Sequence, residues 1–479
     1  MDIFGILNFF AKLKPNSLAI VDDSNEISFL QLNSNVRRIA RLLQNNEIDS
    51  SSLVCTMLPS AIDWQVTLAL HMLGAGSFSK PAGSKLDQIL MPDWLVSTQL
   101  NPDFPEERTF VIDENFEKAL NQTELLRSAP GFSSPDAAAR YFFTSGTSGE
   151  PKYLAISAKE IMDRYRQQGS SEIVGEQEVL NLSKFGSTQN YRIALRALLD
   201  GRTFYCCDFF DYRLPKILNK YPIRTVAGSP VQVSSLIDSL IQTGSKAPRV
   251  QTIVMGGSAP TQTQLKRVRE HFNARMFNSY GSTELGFVSL HEIIDGKVTG
   301  GNISPDVKLE IVDSENRKLN NGESGIVRYA KVNMANGYYK SSEETNKFFQ
   351  EQFFYPGDLG FLDNLGRLNI TGRTNEIMNL GGVKVSPKIV EDIALSVPGV
   401  SDAAAFPLTD KKGIERLVLA FVKSPGFNLV ELEAKFKSEL KAISVAKFVE
   451  VDEIPRNENG KVPRSNLAQL IFMDGNRSD

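Results

Sequence analysis

Short apolar runs alternate along the chain with segments whose apolar residues recur every three or four positions. The run at 251–255 (QTIVM) has the length of a buried strand, and a helical apolar pattern follows at 265–272. At 225–227 a second strand-like run leads into Gly228-Ser229-Pro230, which is typical of a turn and a new helix start. Because strands alternate with amphipathic helices, the pattern predicts an α/β fold.

The first residues of the chain also have a helical pattern. Their apolar members are Ile3, Phe4, Ile6, Leu7, Phe10 and Leu13. Such a face can lie on a membrane, but it more often packs on its own domain, and we expect the second arrangement. The longest apolar stretch, 66–76, is too short to span a bilayer, and no basic region precedes the first apolar residues. We expect no export signal, no membrane insertion and a cytoplasmic location.

The C-terminal part of the chain has the pattern of a separate small unit. Ser386-Pro387 is typical of a helix start, with a serine that can cap and a proline in the first turn, and an apolar stripe follows at 389–397. A strand pattern at 417–422 and another helical pattern at 429–443 complete an α+β unit. We predict a boundary near Thr374-Asn375. The predicted domains are therefore 1–374 and 375–479.

Composition narrows the class of protein. The chain has 479 residues, of which 41% are hydrophobic and 23% are charged, and this is ordinary globular material for two or three domains. The formal net charge is -3 and the two signs are interspersed, so we expect no nucleic-acid partner.

Cysteine and histidine are both scarce. The three cysteines, Cys55, Cys206 and Cys207, have no metal-ligand spacing and are expected to be free thiols in a reducing compartment. The three histidines lie outside the dense motifs. A histidine-based triad or a zinc site is therefore not expected, and catalysis must use other groups.

A run of hydroxyls and glycines closed by a lysine, FFTSGTSGEPK at 142–152, suits the wrapping of phosphate oxygens. A Walker loop ends in Gly-Lys-[Ser/Thr], whereas Glu150 and Pro151 separate Gly149 from Lys152. The run indicates an ATP site of another kind, although by itself it can also be a flexible surface connection. The candidate phosphate-binding residues are Thr144, Ser145, Gly146, Thr147, Ser148 and Lys152.

Two further motifs supply groups that suit a nucleotide. NSYGSTE at 278–284 combines an aromatic face, a glycine turn, a hydroxyl and a carboxylate, which suit adenine, phosphate and Mg²⁺. The alternative is a strand-end turn with a solvated glutamate. YPGD at 355–358 places a carboxylate beyond a Pro-Gly turn, where it can accept hydrogen bonds from ribose or simply complete the turn, and TGR follows at 371–373.

Taken together in chain order, the motifs resemble those of the adenylate-forming superfamily of AMP-binding enzymes. This superfamily includes acyl- and aryl-CoA synthetases, the adenylation domains of peptide synthetases, and firefly luciferase. The motifs are FFTSGTSGEPK, GGSAP at 256–260, NSYGSTE, YPGDLG, ITGRTNEIMNLGGVKVSP and PRNENGK. The resemblance covers essentially the whole chain. It implies a large N-terminal domain of mixed sheets with flanking helices and a small, mobile α+β C-terminal domain.

The resemblance also implies roles for individual residues. The segment from Thr144 to Lys152 would hold the β- and γ-phosphates, and Lys461 in PRNENGK would reach in from the small domain. A lysine between a carboxylate and the α-phosphate would stabilise the charge that grows in the transition state, although Lys461 can also be a solvated tail lysine. The other implied contacts are Gly256, Gly257, Ser258, Asn278 and Tyr280 with adenine, Thr283 with the α-phosphate, Glu284 with Mg²⁺, and Asp358 with the ribose, assisted by Arg373.

Enzymes of this superfamily form an acyl-adenylate with loss of pyrophosphate and then transfer the acyl group, usually to a pantetheine thiol. The small domain rotates between the two steps. The pivot is commonly Asp or Lys, and here the matching residue is Asn375, which keeps a turn-tolerant side chain but lacks the charge. The pair Gly381-Gly382 can let the pantetheine arm of CoA or of a carrier protein pass, or it can serve only the hinge.

The acid itself is less well defined by the sequence. Amino-acid-activating relatives carry an aspartate after the phosphate loop, and the corresponding segment 182–189 contains no acidic residue, so an α-amino acid is disfavoured. Phe185 can line the acyl pocket, and core packing is an equal alternative for it. The further pocket candidates are Tyr191, Ala227, Gly228 and Phe287.

The sequence therefore predicts an ATP- and Mg²⁺-dependent acid:thiol ligase that releases pyrophosphate and AMP. Its substrates would be a small-molecule carboxylic acid and either CoA or an acyl or peptidyl carrier protein. The first alternative is a stand-alone adenylation enzyme that loads an acyl or aryl acid onto a carrier protein. A luciferase-type oxygenase and an inactive nucleotide-binding protein are the others, and the second of these would normally lack Lys152, Glu284, Asp358 or Lys461.

Overall fold

A computed structural model describes residues 2–145, 151–167, 178–208, 210–294, 297–298, 301–332, 334–380, 383–409, 414–440, 443–456, 462–464 and 466–474. Within these ranges the α-helices are α1 (Ile3–Leu13), α2 (Phe29–Asn45), α3 (Ser60–Leu73), α4 (Phe116–Gln122), α5 (Ala158–Gln167), α6 (Thr188–Leu199), α7 (Arg213–Lys220), α8 (Pro230–Thr243), α9 (Gln262–His271), α10 (Ser342–Phe348), α11 (Pro387–Leu395), α12 (Leu429–Glu439) and α13 (Leu467–Asp474).

The strands follow in chain order. They are β1 (Leu18–Val21), β2 (Glu26–Ser28), β3 (Leu53–Met57), β4 (Gly76–Ser79), β5 (Trp94–Ser97), β6 (Thr109–Val111), β7 (Ala138–Ser145), β8 (Pro151–Ser157), β9 (Val179–Asn181), β10 (Phe204–Cys206), β11 (Thr225–Gly228), β12 (Thr252–Gly256), β13 (Arg275–Ser282), β14 (Gly286–Ile294), β15 (Lys297–Val298), β16 (Asn302–Ile303), β17 (Val307–Val312), β18 (Gly325–Lys331), β19 (Phe349–Gln350), β20 (Phe353–Phe354), β21 (Asp358–Leu362), β22 (Leu368–Arg373), β23 (Met378–Leu380), β24 (Val383–Val385), β25 (Val400–Thr409), β26 (Glu415–Lys423) and β27 (Val445–Glu450).

The strands before residue 374 form three sheets. The first sheet has the order β15-β14-β13-β12-β11-β9-β10-β1-β2, with β16 on β14, and it is parallel from β13 to β1. The second has the order β6-β5-β3-β4-β7-β8, and the third is an antiparallel sheet with the order β19-β20-β18-β21-β22 and β17 on β18. Two mixed sheets and an antiparallel one, with helices between the strands, confirm the predicted α/β fold.

The C-terminal part is a smaller α+β unit. It contains the three-stranded sheet β25-β26-β27 and the hairpin β23-β24, and α11 and α12 pack near them. Its buried side chains form a cluster of their own, which includes Val390, Leu419, Leu432 and Phe436. This arrangement matches the predicted small α+β domain.

Several local predictions hold because the signals are local. The predicted strand at 251–255 corresponds to β12. Strand β11 leads into α8, which begins at Pro230, and Ser229 and Gln232 form a reciprocal capping box at its N-terminus. The first helix packs on its own domain, as expected, because Ile3, Leu7 and Phe10 join the large core cluster. Among the described helices, none is both long and apolar enough to cross a lipid bilayer.

One capping prediction is wrong. Helix α11 begins at Pro387 as predicted, but the Ser386 side chain does not cap it. The hydroxyl instead donates to the carbonyl of Thr371 at 3.0 Å. A Cβ placed on Gly372 would lie 2.1 Å from Ser386 Oγ, so glycine is what permits this close approach. A tertiary hydrogen bond thus replaces the local one and ties α11 to the end of β22.

Candidate nucleotide and acid site

The parallel strands of the first sheet end side by side. In register, Ala227 on β11 lies opposite Asn181 on β9, and Met255 on β12 lies opposite Asn278 on β13. Gly256, the last residue of β12, pairs with Ser279. Ligands of open α/β sheets bind outside the carboxyl ends of such strands. The fold therefore brings predicted nucleotide residues and predicted acid-pocket residues together at the carboxyl ends of these parallel strands.

The adenine-binding prediction falls on a stretch with one unpaired acceptor. The Oδ1 atom of Asn278 is buried and has no hydrogen-bond partner among the described residues. Gly257 has a φ of 86°, and no atom lies within 4 Å of the place where a Cβ would stand. Ser258, the next residue, is half-buried. A buried acceptor without a donor fits a ligand with an amino group, such as adenine.

The turn between β13 and β14 carries Thr283 and Glu284. A Cβ on Gly281 would lie 2.3 Å from the carbonyl oxygen of Gly286, so this hairpin requires glycine there. The turn is held from outside, because Arg164 donates to the carbonyls of Thr283 and Glu284 at 3.1 Å each. Arg164 lies in α5, far from the motif in sequence, and sequence reasoning missed it.

Glu284 is buried, and one of its carboxylate oxygens accepts a hydrogen bond of 2.8 Å from the hydroxyl of Tyr338. Burial and the adjacent Glu284 charge raise the pKa of Tyr338, which keeps the phenol a donor. The second carboxylate oxygen makes no hydrogen bond within the described ranges. No signal in the sequence around Tyr338 pointed to this contact.

The surroundings of Glu284 fit the implied Mg²⁺ ion. Within the described ranges, no group of three or more His, Cys, Asp or Glu side chains is close enough to hold a metal. Mg²⁺ is commonly bound by one or two carboxylates and completes its octahedron with phosphate oxygens and water. A lone buried carboxylate beside the predicted phosphate site suits that mode.

Asp358 is the centre of a second polar cluster. It is buried, and its Oδ1 accepts from Arg373 Nε at 2.8 Å while Oδ2 accepts from the Tyr280 hydroxyl. Asp358 and Arg373 are direct neighbours on β21 and β22. Burial, the nearby Tyr329 and the Asp358 charge raise the pKa of Tyr280. Each carboxylate oxygen keeps a second lone pair, so the oriented group can still accept from two ribose hydroxyls.

The phosphate loop is described only at its ends. Thr144 and Lys152 lie opposite each other on the β7-β8 hairpin, and Ser145 ends β7. Gly146, Thr147 and Ser148 lie outside the described residues. The structure therefore describes the hairpin that presents this loop.

Lys152 has two kinds of partner. Its side chain is 7% exposed and forms an ion pair with Glu344 of α10. The ammonium also stands 4.0 Å from the ring centroid of Phe348. Neither partner is part of a motif, and sequence reasoning found neither. The ammonium is thus partly desolvated and held by one carboxylate, which an anionic ligand can replace.

The predicted acid-pocket residues lie in different surroundings. Ala227 and Gly228 lie at the carboxyl end of the central strand β11, and Phe287 is half-buried on β14. Phe185 is only 2% exposed and packs on the rings of Trp64 and Tyr191. This position agrees with the core-packing alternative for Phe185. Its role as a pocket wall stays a prediction.

Tyr191 belongs to a buried polar cluster that the sequence did not indicate. The cluster surrounds Arg140, whose guanidinium donates hydrogen bonds to the hydroxyls of Thr67 and Ser77 at 3.3 and 3.1 Å. The same guanidinium lies 5.5 Å from the centroid of the Tyr191 ring. The Tyr191 hydroxyl and His71 Nε2 are 3.0 Å apart. Burial, with a smaller effect of Arg140, lowers the pKa of His71 to about 3, and burial raises the pKa of Asp63 in the same cluster to about 6.

These two groups have opposite effects on stability between pH 4 and 6. As the pH falls below about 6.5, His71 is protonated in the unfolded chain but stays neutral in the folded one, which lowers the free energy of unfolding. Asp63 takes up its proton first in the folded chain, which raises that free energy over the same range. The wild-type dependence on pH from this cluster is therefore small.

We expect His71→Gln to unmask the Asp63 contribution. Relative to the wild type, the free energy of unfolding of the variant should rise by about 2 kcal/mol as the pH falls from 6.5 to 4.5. Urea denaturation at several pH values measures this difference. His271→Gln, at the exposed end of α9, is the control and should follow the wild-type curve. Parallel curves for His71→Gln and the wild type would contradict the assignment.

The predicted hinge and small-domain residues are only partly described. Asn375 is exposed in a short 3-10 turn at Thr374–Glu376, and Thr374 N donates to Gly357 O at 2.7 Å. Gly381, Gly382 and Lys461 lie outside the described residues. Arg464, three positions after Lys461, binds Glu376 in this turn at 2.9 Å and Glu391 of α11 at 2.6 Å. Sequence reasoning missed this link between the hinge turn and the C-terminal segment.

A buried carboxylate, an oriented aspartate and an unpaired buried acceptor suit the binding of a nucleotide. The family model of the AMP-binding enzymes matches residues 85–339, and the model of their C-terminal domain matches residues 389–461. The chain therefore belongs to the AMP-binding enzyme family, as the motifs predicted.

Individual relatives are distant. The chain is 26% identical over 357 residues to a putative acyl–CoA ligase, YdaB, of Bacillus subtilis, covering 73% of this chain and 69% of that protein. It is 23% identical over 495 residues to gramicidin S synthase 1 of Brevibacillus brevis, covering 97% of this chain and 44% of that protein. The structure of O-succinylbenzoate coenzyme A synthetase from Bacillus subtilis in complex with AMP superposes with a TM-score of 0.77 at 21% identity, over 96% of this chain and 97% of that one.

Proposed function

We propose that the protein is an ATP-dependent acid:thiol ligase. A carboxylate of the acid attacks the α-phosphate of ATP, the bond to pyrophosphate breaks, and the resulting acyl-adenylate passes its acyl group to a pantetheine thiol with release of AMP. The thiol would belong to CoA or to a carrier protein. Family membership and the presence of both family domains support the reaction class.

The observation that carries the proposal is the arrangement around Asp358 and Glu284. Asp358 is oriented by Tyr280 and Arg373, so it can hold the ribose without first reorganising. Glu284 is oriented by Tyr338 and would hold Mg²⁺, which would neutralise charge on the phosphates. Thr283, adjacent to Glu284, would touch the α-phosphate, and Lys152 would meet the leaving pyrophosphate.

The small domain supplies the remaining roles. We propose the boundary near Thr374-Asn375 as the hinge, with Gly381-Gly382 beside the path of the thiol. The exposed position of Asn375 at the centre of the 3-10 turn Thr374–Glu376 supports a pivot at that residue. Lys461 would enter the site from the small domain during adenylation.

A stand-alone adenylation enzyme that serves a carrier protein is the second candidate. Its support is the likeness to gramicidin S synthase 1 along nearly the whole chain. The two candidates share the first half-reaction and differ in the acceptor.

We expect ATP-dependent pyrophosphate release with at least one member of a panel of aromatic, short-chain, long-chain and amino acids. Each acid is assayed with CoA present and with CoA withheld, and AMP and thioester are measured separately. AMP with a CoA thioester supports the ligase, whereas an acyl-adenylate that forms but is not passed to CoA supports the carrier-protein candidate. If no acid supports pyrophosphate release, the proposal is wrong.

A further inference from the structure

Two buried asparagines beside the predicted acid pocket have carboxamide oxygens without a donor. Asn181 ends β9 and is 1% exposed, and Asn190 lies in α6 and is fully buried. Neither Oδ1 atom has a hydrogen-bond partner among the described residues. The Oδ1 atom of Asn278, on β13 at the predicted adenine site, is unpaired in the same way. An unpaired buried acceptor is unfavourable unless a ligand supplies the donor.

The two carboxamide groups share one hydrogen-bond acceptor. The Nδ2 atoms of both donate to one carbonyl, that of Ser183, at 2.6 Å from Asn190 and 3.4 Å from Asn181. Only the nitrogen of a carboxamide can donate to a carbonyl, so this contact settles which end is oxygen. Because both nitrogens share one acceptor, the two side chains lie in the same neighbourhood.

That neighbourhood adjoins both halves of the proposed site. Asn181 lies opposite Ala227 in the sheet, and Asn190 precedes Tyr191, so both are next to predicted acid-pocket residues. The first turn of α6 also reaches the nucleotide side, since the hydroxyls of Thr188 and Thr283 are 3.3 Å apart.

We propose that Asn181 and Asn190 form a subsite that selects acids carrying a hydrogen-bond donor, such as a hydroxyl or an amide N–H. This inference rests on the proposed function. A neutral carboxamide suits a neutral donor, and segment 182–189 has no carboxylate for an ammonium. A purely apolar acid would leave both oxygens unpaired and is therefore disfavoured.

The test uses pairs of acids that differ only in the donor. Suitable pairs are 4-hydroxybenzoate with benzoate and 6-hydroxyhexanoate with hexanoate, assayed by ATP-dependent pyrophosphate release. For at least one pair we expect the wild type to prefer the donor-bearing acid in kcat/KM by about 10-fold or more. Asn181→Leu and Asn190→Leu should each reduce that preference to about 3-fold or less, because the donor-bearing acid loses its acceptor and the acid lacking the donor no longer leaves an oxygen unpaired.

Asn33→Leu is the matched control. Its Oδ1 atom is also buried and unpaired among the described residues, but it lies in α2, away from the sheet edge, and the variant should keep the wild-type preference. A cooperative urea unfolding transition shows that a site variant has folded, and the wild-type preference decides the matter if neither variant folds. Equal use of both acids by the wild type, or an unchanged preference in the variants, overturns the subsite while leaving the ligase proposal intact. Absence of pyrophosphate release with every acid overturns the ligase proposal, and the subsite with it.

Discussion

Asp358→Ala is expected to lower kcat/KM for acyl-adenylate formation by about 100-fold or more. The carboxylate is the acceptor for both Tyr280 and Arg373, and it is the group we assign to the ribose. A hydrogen bond to a charged group contributes about 1.5–3 kcal/mol, so the loss of two such bonds to ribose alone accounts for that factor. Removing the carboxylate also leaves Arg373 without its ion-pair partner, and this lowers the stability of the β21-β22 hairpin.

The experiment separates binding from folding. Single-turnover formation of the acyl-adenylate is measured over a range of ATP concentrations, together with the free energy of unfolding. Asp358→Asn keeps the shape and one acceptor, so we expect a smaller loss that falls mainly on the KM for ATP. Asp363→Ala is the matched control, because Asp363 pairs with Arg367 at the turn of the same hairpin. A similar loss of activity in the Asp358→Ala and Asp363→Ala variants would show that the hairpin alone matters.

The sequence predicted those features whose causes are local. The strand before α9 and the helix start at Ser229-Pro230 follow from apolar periodicity and from the turn residues that precede the helix. The motif carboxylates Glu284 and Asp358 were also found, since they stand beside glycine turns that restrict the backbone. These signals need only a few consecutive residues.

The missed features depend on contacts between distant segments. Tyr338, just before α10, reaches Glu284 in the β13-β14 turn, and Glu344 of α10 reaches Lys152 on β8, and neither lies in a motif. Burial of Arg140 among hydroxyls and aromatic rings cannot be predicted from an isolated arginine in a strand. Ser386 has an ideal capping sequence, yet Gly372 permits a tertiary hydrogen bond that replaces the cap. A local capping rule therefore fails where tertiary packing gives the side chain another hydrogen-bond partner.

Lys461→Ala is expected to abolish adenylation, with a loss of about 1,000-fold or more, while a supplied acyl-adenylate is still converted to thioester. In adenylation two anions, the acid carboxylate and the α-phosphate, approach each other, and a cation placed between them stabilises the charge that develops. Thiol attack on the acyl-adenylate involves no such approach of two anions. We therefore expect the side chain to be needed in adenylation and not in thioester formation.

The two half-reactions can be measured separately. Pyrophosphate release reports adenylation, and thioester formation from synthetic acyl-adenylate reports transfer. Lys435→Ala is the control, because Lys435 belongs to the same small domain, is half-buried and pairs with Glu439 along α12. It should leave both rates unchanged. Equal losses in both half-reactions of Lys461→Ala would contradict the assignment and would mean that the lysine holds the small domain together. A selective loss would place the charge of this lysine between the acid and the nucleotide, where the attack itself occurs.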